Sequence, residues 1–301
     1  MTNVYVWGDG SQLASFDAPS IAIAHYLALY YPDIKLIPNS NVSGSYNGTL
    51  PMLITENGQQ IHGYKGIVEY LKGNFIGNGK LEEQKDAEMN LIYGGFMESL
   101  LETFEVITAY NLFLNKDNYI KYTRPLFKNL LPFPLQYGTP LRLKRAASDL
   151  CENYGITADD LFKDENSHDL EMIKAKEKEL NSTPVLNNVQ KLQVEKSLND
   201  LAMKKSALTN MKCVDLLDEI VSQYKKLKIK DTSACGILFL SYLQVNTLPA
   251  LKCTFVKEFL RQKSPSLLDL VGSFSKTSNT FQIEPRPLSL VSSLQSAVRT
   301  L

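Results

Sequence analysis

Residues 50–71 read LPMLITENGQQIHGYKGIVEYL, and this stretch decides the fold class of the chain. An Asn-Gly pair at 57–58 separates two short apolar runs, which is a strong signal of a β-hairpin because both residues tolerate positive φ angles. The apolar residues from Tyr64 to Leu71 then recur on one helical face, and Gly73 can end that helix. The stretch therefore predicts two antiparallel strands followed by a helix, with Pro51 where the first strand begins.

The residues before this stretch predict a further strand, helix and strand. Val4 to Trp7 is β-branched and aromatic and stops at a Gly-Asp-Gly turn, as a buried strand does. Pro19 suits the first turn of a helix, Ile21 to Tyr31 is apolar on almost every side, and Ile34 to Ile37 gives another short strand. A strand-helix-strand unit usually places its strands in parallel with a right-handed crossover. Residues 1–76 are thus predicted to form a β-α-β-β-α lobe.

From residue 81 onward the hydrophobic pattern predicts helices. Apolar-periodic runs cover 87–115, 119–131 and 141–154, and a proline-rich segment at 132–140 breaks the series. The segment 163–230 is rich in lysine and acidic residues and contains no arginine, which is typical of solvated helices or a partly mobile hairpin. The predicted organisation is α+β. It comprises the lobe at 1–76, an all-helical lobe at 81–271 and a Ser/Thr-rich tail at 272–301, which we expect to be flexible or wrapped on a partner.

The composition is that of a folded globular protein without a nucleic-acid or metal site. The chain has 301 residues with 32 basic and 32 acidic side chains, and a nucleic-acid partner normally requires a strongly basic face. The four cysteines and three histidines show no metal-ligand spacing, so we expect no metal or cofactor. Reduced, buried thiols fit a cytosolic environment, and neither a secretory nor a matrix-targeting leader is recognisable.

One uncharged run has the length of a membrane span. Residues 232–251 contain no charged side chain over 20 positions. Gln244, Asn246 and Pro249 interrupt the run, and no aromatic or cationic pattern anchors its ends. We therefore expect a helix buried inside a folded domain rather than a membrane span.

Two short motifs in the first lobe resemble the glutathione-transferase superfamily. They are LPML at 50–53, at the start of a strand, and IVEYL at 67–71, on the following helix. The resemblance implies a glutathione-transferase-like fold, with a thioredoxin-like lobe followed by an all-α lobe. It also implies that the peptide bond before Pro51 is cis, whereas an ordinary trans proline opening an edge strand is the alternative.

The positions that bind and activate glutathione in that superfamily hold different residues here. Where the superfamily binds the γ-glutamyl carboxylate, at the start of the helix, this chain has Gly63 and Tyr64. The thiol-activating position could only be Ser11 or Ser15, and both also suit a loop or a helix cap. No cysteine precedes Cys151, so thiol exchange in the first lobe has no nucleophile. We expect a non-catalytic protein, with a glutathione-transferase-type enzyme as the alternative.

Basic and aromatic residues are interleaved between Lys116 and Ala147, a stretch we call the basic-aromatic segment. It carries seven basic residues against the single acid Asp117. Such a cluster can steer an acidic partner or anionic head groups to one face, unless the cations are scattered around two helices and never converge. The aromatic residues have the spacing of a helical core, which disfavours a single-stranded nucleic-acid ligand. The candidate docking residues are Lys121, Arg124, Lys128, Tyr137, Arg142, Lys144 and Arg145.

Two further stretches resemble the metaxin family. LPFPLQYGTPLR at 131–142 looks like the proline-rich motif between two metaxin helices, and YLQVNTLPAL at 242–251 looks like a helix of the final lobe. Together with the first lobe, the similarity extends over most of residues 1–270. The order of the motifs along one chain makes the resemblance more specific than any single motif does.

The metaxin resemblance implies a non-catalytic subunit bound peripherally to the cytosolic face of the mitochondrial outer membrane. Metaxin-like subunits of the sorting and assembly machinery sit beside a membrane-embedded β-barrel insertase and a second metaxin-like subunit. They assist the insertion, folding and release of β-barrel precursors and couple the machinery to the import translocase. The basic-aromatic segment is then the candidate docking face for an acidic receptor domain. A transferase-like scaffold in another cytosolic assembly is a further hypothesis.

Overall fold

The computed structural model describes residues 2–10, 12–40, 42–75, 87–131, 133, 135–156, 188–277, 281 and 283. The strand-containing lobe and the helical lobe share one continuous hydrophobic core. The predicted α+β class, with the strands first and the helices after them, is confirmed.

A five-stranded sheet forms the centre of the N-terminal lobe. Its strands are β1 (Asn3–Asp9), β2 (Gln12–Leu13), β3 (Lys35–Asn39), β4 (Met52–Ile54) and β5 (Gln60–His62). β1 pairs in parallel with β3 and antiparallel with β4, and β4 pairs antiparallel with β5. The short β2 pairs with the end of β1. The predicted parallel unit and the predicted hairpin are therefore both confirmed.

The backbone around Pro51 has the form that the transferase resemblance implies. The Leu50–Pro51 peptide bond is cis. Gly58, in the hairpin turn, and Gly63, which follows β5, both have positive φ angles. The Gly63 amide donates a hydrogen bond to the Pro51 carbonyl at 3.0 Å, which ties the start of the second helix to the start of β4.

Two helices cover this lobe. α1 (Ala18–Tyr30) begins after Asp17, whose carboxylate accepts a hydrogen bond from the Ser20 amide at 2.9 Å. α1 is buried on almost every side, as predicted. α2 (Gly63–Asn74) buries the predicted apolar face. The expectation that Gly73 ends this helix is wrong, because the Phe75 amide closes the last turn on the Leu71 carbonyl without a left-handed residue.

The helical lobe begins with long helical runs whose hydrogen-bond period changes three times. The α-helices are α3 (Ala87–Ser99), α4 (Glu105–Ala109), α5 (Lys116–Asn118) and α6 (Arg124–Leu130). π-Helical turns lie between them, at Leu100–Phe104, Tyr110–Leu114 and Tyr119–Thr123. The runs predicted at 87–115 and 119–131 are confirmed. Each π turn holds an extra residue, so the side of the run that faces the core shifts at that point.

α7 (Leu135–Glu152) begins earlier than the sequence predicts. We expected the proline-rich segment to continue to residue 140, but Pro140 lies in the second turn of the helix and is buried. Proline lacks one N–H donor, and close to a helix N-terminus this removes only one backbone hydrogen bond. The break in the helical series is therefore shorter than predicted.

α8 (Asn188–Lys226) is one 39-residue helix, which corrects the interpretation of the charged segment at 163–230. Its second half is not merely solvated, because Cys213, Leu217, Ile220 and Tyr224 lie in the core. These four residues follow the three- and four-residue spacing of one helical face. The part of the charged segment at 163–187 lies outside the described residues.

α9 (Ala234–Asn246) is the core helix predicted from the uncharged run, and it packs against α1. α10 (Phe255–Lys263) and α11 (Pro265–Thr277) follow it. α11 continues beyond Gly272, at which the sequence predicts the beginning of the tail. After α11, Ile283 forms a parallel bridge with Leu36 of β3. Among the residues described, no helix is both long and apolar enough to cross a bilayer.

Candidate interaction surface

The described groups at the positions assigned to glutathione already make contacts within the chain. The Ser15 Oγ lies 2.7 Å from the Tyr122 hydroxyl. Tyr64 is fully buried, and its hydroxyl donates a hydrogen bond to the Ala234 carbonyl at 2.8 Å. The Gly63 amide is bonded to Pro51, and Ser11 lies outside the described residues. These groups therefore stabilise the chain itself and join the two lobes.

Cysteine and tyrosine side chains with shifted pKa values are poorer nucleophiles than in solution. Burial raises the pKa of the Cys151 thiol to about 12. Burial also raises the pKa of Tyr122, and its hydrogen bond with Ser15 opposes the change only in part. Thiol and hydroxyl nucleophiles are activated by a lowered pKa or an adjacent base. Cys151 and Tyr122 are therefore not activated in this way.

Two carboxyl groups, Asp17 before α1 and Glu105 at the start of α4, have raised pKa values. Burial raises the pKa of Asp17 to about 7, and the charge of Glu105 adds to the rise, while the Ser20 hydrogen bond opposes it. Desolvation likewise raises the pKa of Glu105, which accepts a hydrogen bond from the Tyr242 hydroxyl at 2.8 Å. The Glu105 side chain is exposed while Tyr242 is buried. The protonation of Asp17 is therefore sensitive to the charge of a glutamate that belongs to the helical lobe.

A small cavity between α2, α3 and the start of α9 has a volume of about 140 Å³. Lys65 at its rim forms ion pairs with Glu98 and with Glu69. Small-molecule sites usually enclose about 300–1,000 Å³. The cavity is therefore small for a ligand of tripeptide size. Within the described residues, no group of three His, Cys, Asp or Glu side chains could hold a metal ion.

Two predicted docking cations, one on α6 and one on α7, act on the ring of Tyr119. The Lys144 Nζ lies 4.8 Å from the centroid of the Tyr119 ring, within the range of a cation–π contact. The charge of Arg124 acts on the same phenol and opposes the burial that raises its pKa. Lys144 and Arg124 therefore share one aromatic neighbour, although they belong to different helices.

The remaining predicted cations are exposed. Lys121 forms a surface ion pair with Asp117 at 2.9 Å, and the two side chains stay 52% and 64% exposed. An ion pair of this kind contributes about 0.2–1 kcal/mol at most. Lys128, Arg142 and Arg145 form no ion pair with an acidic residue in the described part of the chain. Their charges are thus not neutralised by an internal partner.

Large apolar side chains are exposed among these cations. They are Ile120, Phe133, Leu135, Tyr137 and Leu141, which range from 36% to 74% exposed. The Phe133 and Tyr137 rings meet edge to face with centroids 6.2 Å apart. Exposed aromatic residues together with arginine are the composition enriched at protein–protein interfaces. The exposed side chains of the basic-aromatic segment thus share this composition.

The expectation of core spacing holds for only some aromatic residues of this segment. Tyr119 and Phe127 are buried, but Phe133 and Tyr137 are 74% and 51% exposed. Phe133 stands between two prolines in the sequence, and proline interrupts the helical period on which the expectation rests. That flanking pattern is the signal from which an exposed aromatic residue could have been inferred.

Comparison with known proteins gives two adjoining family matches. Residues 20–144 match the family model described as Tom37, outer mitochondrial membrane transport complex protein. Residues 162–287 match the model described as the Tom37 C-terminal domain. Together the two matches take in the basic-aromatic segment up to Lys144 and most of the helical lobe.

Individual relatives carry the name metaxin. Metaxin-1 of Mus musculus is 27% identical over 146 residues, which are 47% of this chain and 44% of that protein. Metaxin-3 of Xenopus laevis is 24% identical over 149 residues, which are 50% of this chain and 47% of that protein. The chain thus spans less than half the length of these relatives. A solved glutathione S-transferase from Sinorhizobium meliloti aligns with 89% of this chain and 95% of its own at 16% identity, with a TM-score of 0.30, and adds no support to the fold.

Proposed function

Because the chain belongs to the Tom37/metaxin family of outer mitochondrial membrane transport proteins, we propose that it is a non-catalytic subunit of the sorting and assembly machinery. In this proposal the chain lies on the cytosolic face of the outer membrane as a peripheral subunit. It assists the insertion, folding and release of β-barrel precursors. Its partners are the β-barrel insertase, a second metaxin-like subunit and a receptor of the import translocase.

One observation carries the docking part of the proposal. Arg124, Lys128, Arg142 and Arg145 have no acidic partner among the described residues, and exposed apolar side chains lie among them. Unneutralised cations accelerate encounter with an acidic partner, while the apolar groups supply the area that is buried on contact. An acidic, partly apolar segment of an import receptor is therefore the partner that fits the basic-aromatic segment.

The contacts within the chain favour this proposal over a glutathione-transferase-type enzyme. Ser15, Gly63 and Tyr64 are engaged in internal hydrogen bonds, and the shifted cysteine and tyrosine pKa values are raised. Binding of glutathione would have to displace these contacts. A shift of the melting temperature in millimolar glutathione would nevertheless support the enzyme.

A retention experiment tests the docking proposal: the chain is immobilised, and the amount of an acidic receptor segment that it retains is measured. In the test variant, glutamate replaces Lys121, Arg124, Lys128, Arg142, Lys144 and Arg145. We expect the wild-type chain to retain an acidic receptor segment and the variant to lose most of that retention. Equal retention by the two proteins would contradict docking through this segment.

A second charge-reversed variant controls for net charge. In it, glutamate replaces six exposed lysines outside the segment, namely Lys72, Lys196, Lys204, Lys226, Lys252 and Lys263. This variant carries the same net charge, so we expect it to bind more tightly than the test variant. Vesicles with anionic head groups are offered in parallel. Loss of vesicle binding without loss of receptor binding would assign the surface to lipid instead.

A further inference from the structure

β3 lies at an edge of the sheet. Its inner side pairs in parallel with β1 from Lys35 to Asn39. On its outer side the described residues contribute one parallel bridge, between Leu36 and Ile283. An edge strand offers unpaired backbone N–H and C=O groups to any extended chain that reaches it. Pro38 lacks an amide hydrogen, so pairing on this edge is best supported near the beginning of β3.

The sequence around Ile283 has the alternation of a strand. Residues 281–284 read FQIE, in which apolar and polar side chains take turns. Phe281 and Ile283 are both partly buried, and two residues of spacing put them on the same side of an extended chain. The bridge fixes the direction of this chain as parallel to β3.

An aromatic slot beside the edge receives Phe281. The ring of His25, on α1, lies edge to face with Phe281 at 4.7 Å between centroids. His25 also contacts Phe274 on α11, which is stacked on the imidazole at 3.8 Å between ring centroids. His25 is 7% exposed, so the slot is an apolar place between two helices. It recognises an aromatic side chain at a fixed distance from the backbone edge of β3.

We propose that the edge of β3 and the slot at His25 and Phe274 form a binding site for an extended segment with alternating apolar residues. The chain's own Phe281 and Ile283 occupy this site in the structure. The ligand that displaces them is a strand of a β-barrel precursor, an assignment that rests on the proposed function. Membrane-spanning β-strands alternate apolar and polar residues, which is the pattern that the occupant shows. Main-chain pairing gives affinity, and the slot gives selectivity for an aromatic residue.

The occupant acts as a competitor because it belongs to the same chain. A segment tethered a few residues beyond α11 has an effective concentration in the millimolar range. The apparent affinity for a free strand is reduced by the fraction of sites that the tethered segment fills. Removing the two apolar anchors should therefore expose the site and strengthen binding of a free strand.

A labelled peptide that copies residues 278–286 measures this competition with the full-length chain. We expect the variant Phe281→Ser/Ile283→Ser to bind the peptide about tenfold more tightly than the wild type, by removal of the tethered competitor. The matched control is Leu288→Ser/Leu290→Ser, which also replaces two apolar residues of the tail by serine at the same spacing and should bind like the wild type. A peptide with serine at both anchor positions should bind none of the three. Equal peptide binding by all three proteins would overturn the proposal.

Cross-linking tests the location and the direction of the strand. Parallel pairing of Leu36 with Ile283 sets residue 35 opposite 282, whereas antiparallel pairing would set it opposite 284. Lys35→Cys is added to the variant Phe281→Ser/Ile283→Ser. A peptide that carries Gln282→Cys should then form a disulfide with this protein faster than a peptide that carries Glu284→Cys. The reverse preference, or no cross-link while the variant keeps a cooperative melting transition, would contradict the site.

A second peptide separates this inference from the proposed function. It is a terminal strand of a β-barrel precursor, compared with a scrambled peptide in which the apolar residues no longer alternate. We expect only the ordered strand to compete with the copied peptide. Binding of the copied peptide without competition by the precursor strand would overturn the assignment of the ligand. The retention experiment on the basic-aromatic segment does not involve β3. Its result therefore tests the proposed function independently of the site at β3.

Discussion

The side-chain amide of Asn118 donates a hydrogen bond to the Oδ1 of Asn111, at 2.8 Å, in the fully buried interior of the helical lobe. The Oδ1 of Asn118 accepts from the backbone amides of Lys252 and Cys253, each at 2.8 Å. Asn111 continues the network by donating to Asn246 of α9 at 2.9 Å. One asparagine therefore holds the chain between α9 and α10 against the helices that begin the lobe.

Asn118→Ala should destabilise the chain by about 3 kcal/mol, because two backbone amides lose their acceptor and each such loss costs about 1–3 kcal/mol. Urea unfolding followed by circular dichroism measures the change. Asn129→Ala, at an exposed position of α6, is the control and should change the free energy of unfolding by about 0.5 kcal/mol or less. Equal effects of the two changes would show that the buried network contributes nothing specific.

Tyr64→Phe should weaken the attachment of the two lobes. The substitution removes only the hydroxyl that donates to the Ala234 carbonyl, so we expect a loss of about 1 kcal/mol in the free energy of unfolding. Tyr70→Phe on the same helix provides the comparison, because its hydroxyl forms no hydrogen bond with a described residue. The prediction is wrong if the two variants have the same stability.

Asp17→Asn should stabilise the chain increasingly as the pH rises. The pKa of Asp17 is raised from 3.8 to about 7 in the folded chain, so between these pH values the folded state holds a proton that the unfolded state has lost. Stability due to this group is therefore present below about pH 4, falls as the pH rises, and is fully lost above about pH 7. Asparagine keeps the capping oxygen but has no charge to bury.

Melting temperatures of the wild type and Asp17→Asn, measured from pH 4 to pH 8, test this dependence. We expect the variant's advantage to grow from pH 4 to about pH 7 and then to level off. A variant whose advantage is the same at every pH would show that the Asp17 carboxyl group is not perturbed.

The order of strands and helices in the N-terminal lobe was predictable because the signals for its turns and helix starts are local in the sequence. The Asn-Gly pair at 57–58, Pro19 and the run of apolar residues in α1 each predict one feature without reference to the rest of the chain. The two-residue strand β2 was missed, since it is too short to show alternation. The buried face of α8 was not predicted, because many lysines and acidic residues stand between the apolar residues from Cys213 to Tyr224.

The residue types of the candidate surface were predictable, but their arrangement was not. Whether Lys144 reaches Tyr119 depends on how α6 and α7 pack, which no local pattern in the sequence records. The exposure of Phe133 depends on the same packing and on the prolines beside it. Phe281 contacts His25, a residue that is far from it in the sequence. Long-range contacts of this kind leave no periodic signal.

The most direct test of the central claim is photo-cross-linking from Tyr137, which is 51% exposed within the basic-aromatic segment. The matched probe replaces Tyr46, a 92% exposed residue of the N-terminal lobe. Each full-length chain carries a benzoyl-phenylalanine at one of these positions and is irradiated with intact mitochondria, and the adducts are identified by mass spectrometry. We predict an adduct with an outer-membrane import component from Tyr137, strongly reduced when Arg124, Arg142 and Arg145 are reversed to Glu. The same adducts from both probes, or none from Tyr137, would contradict the claim.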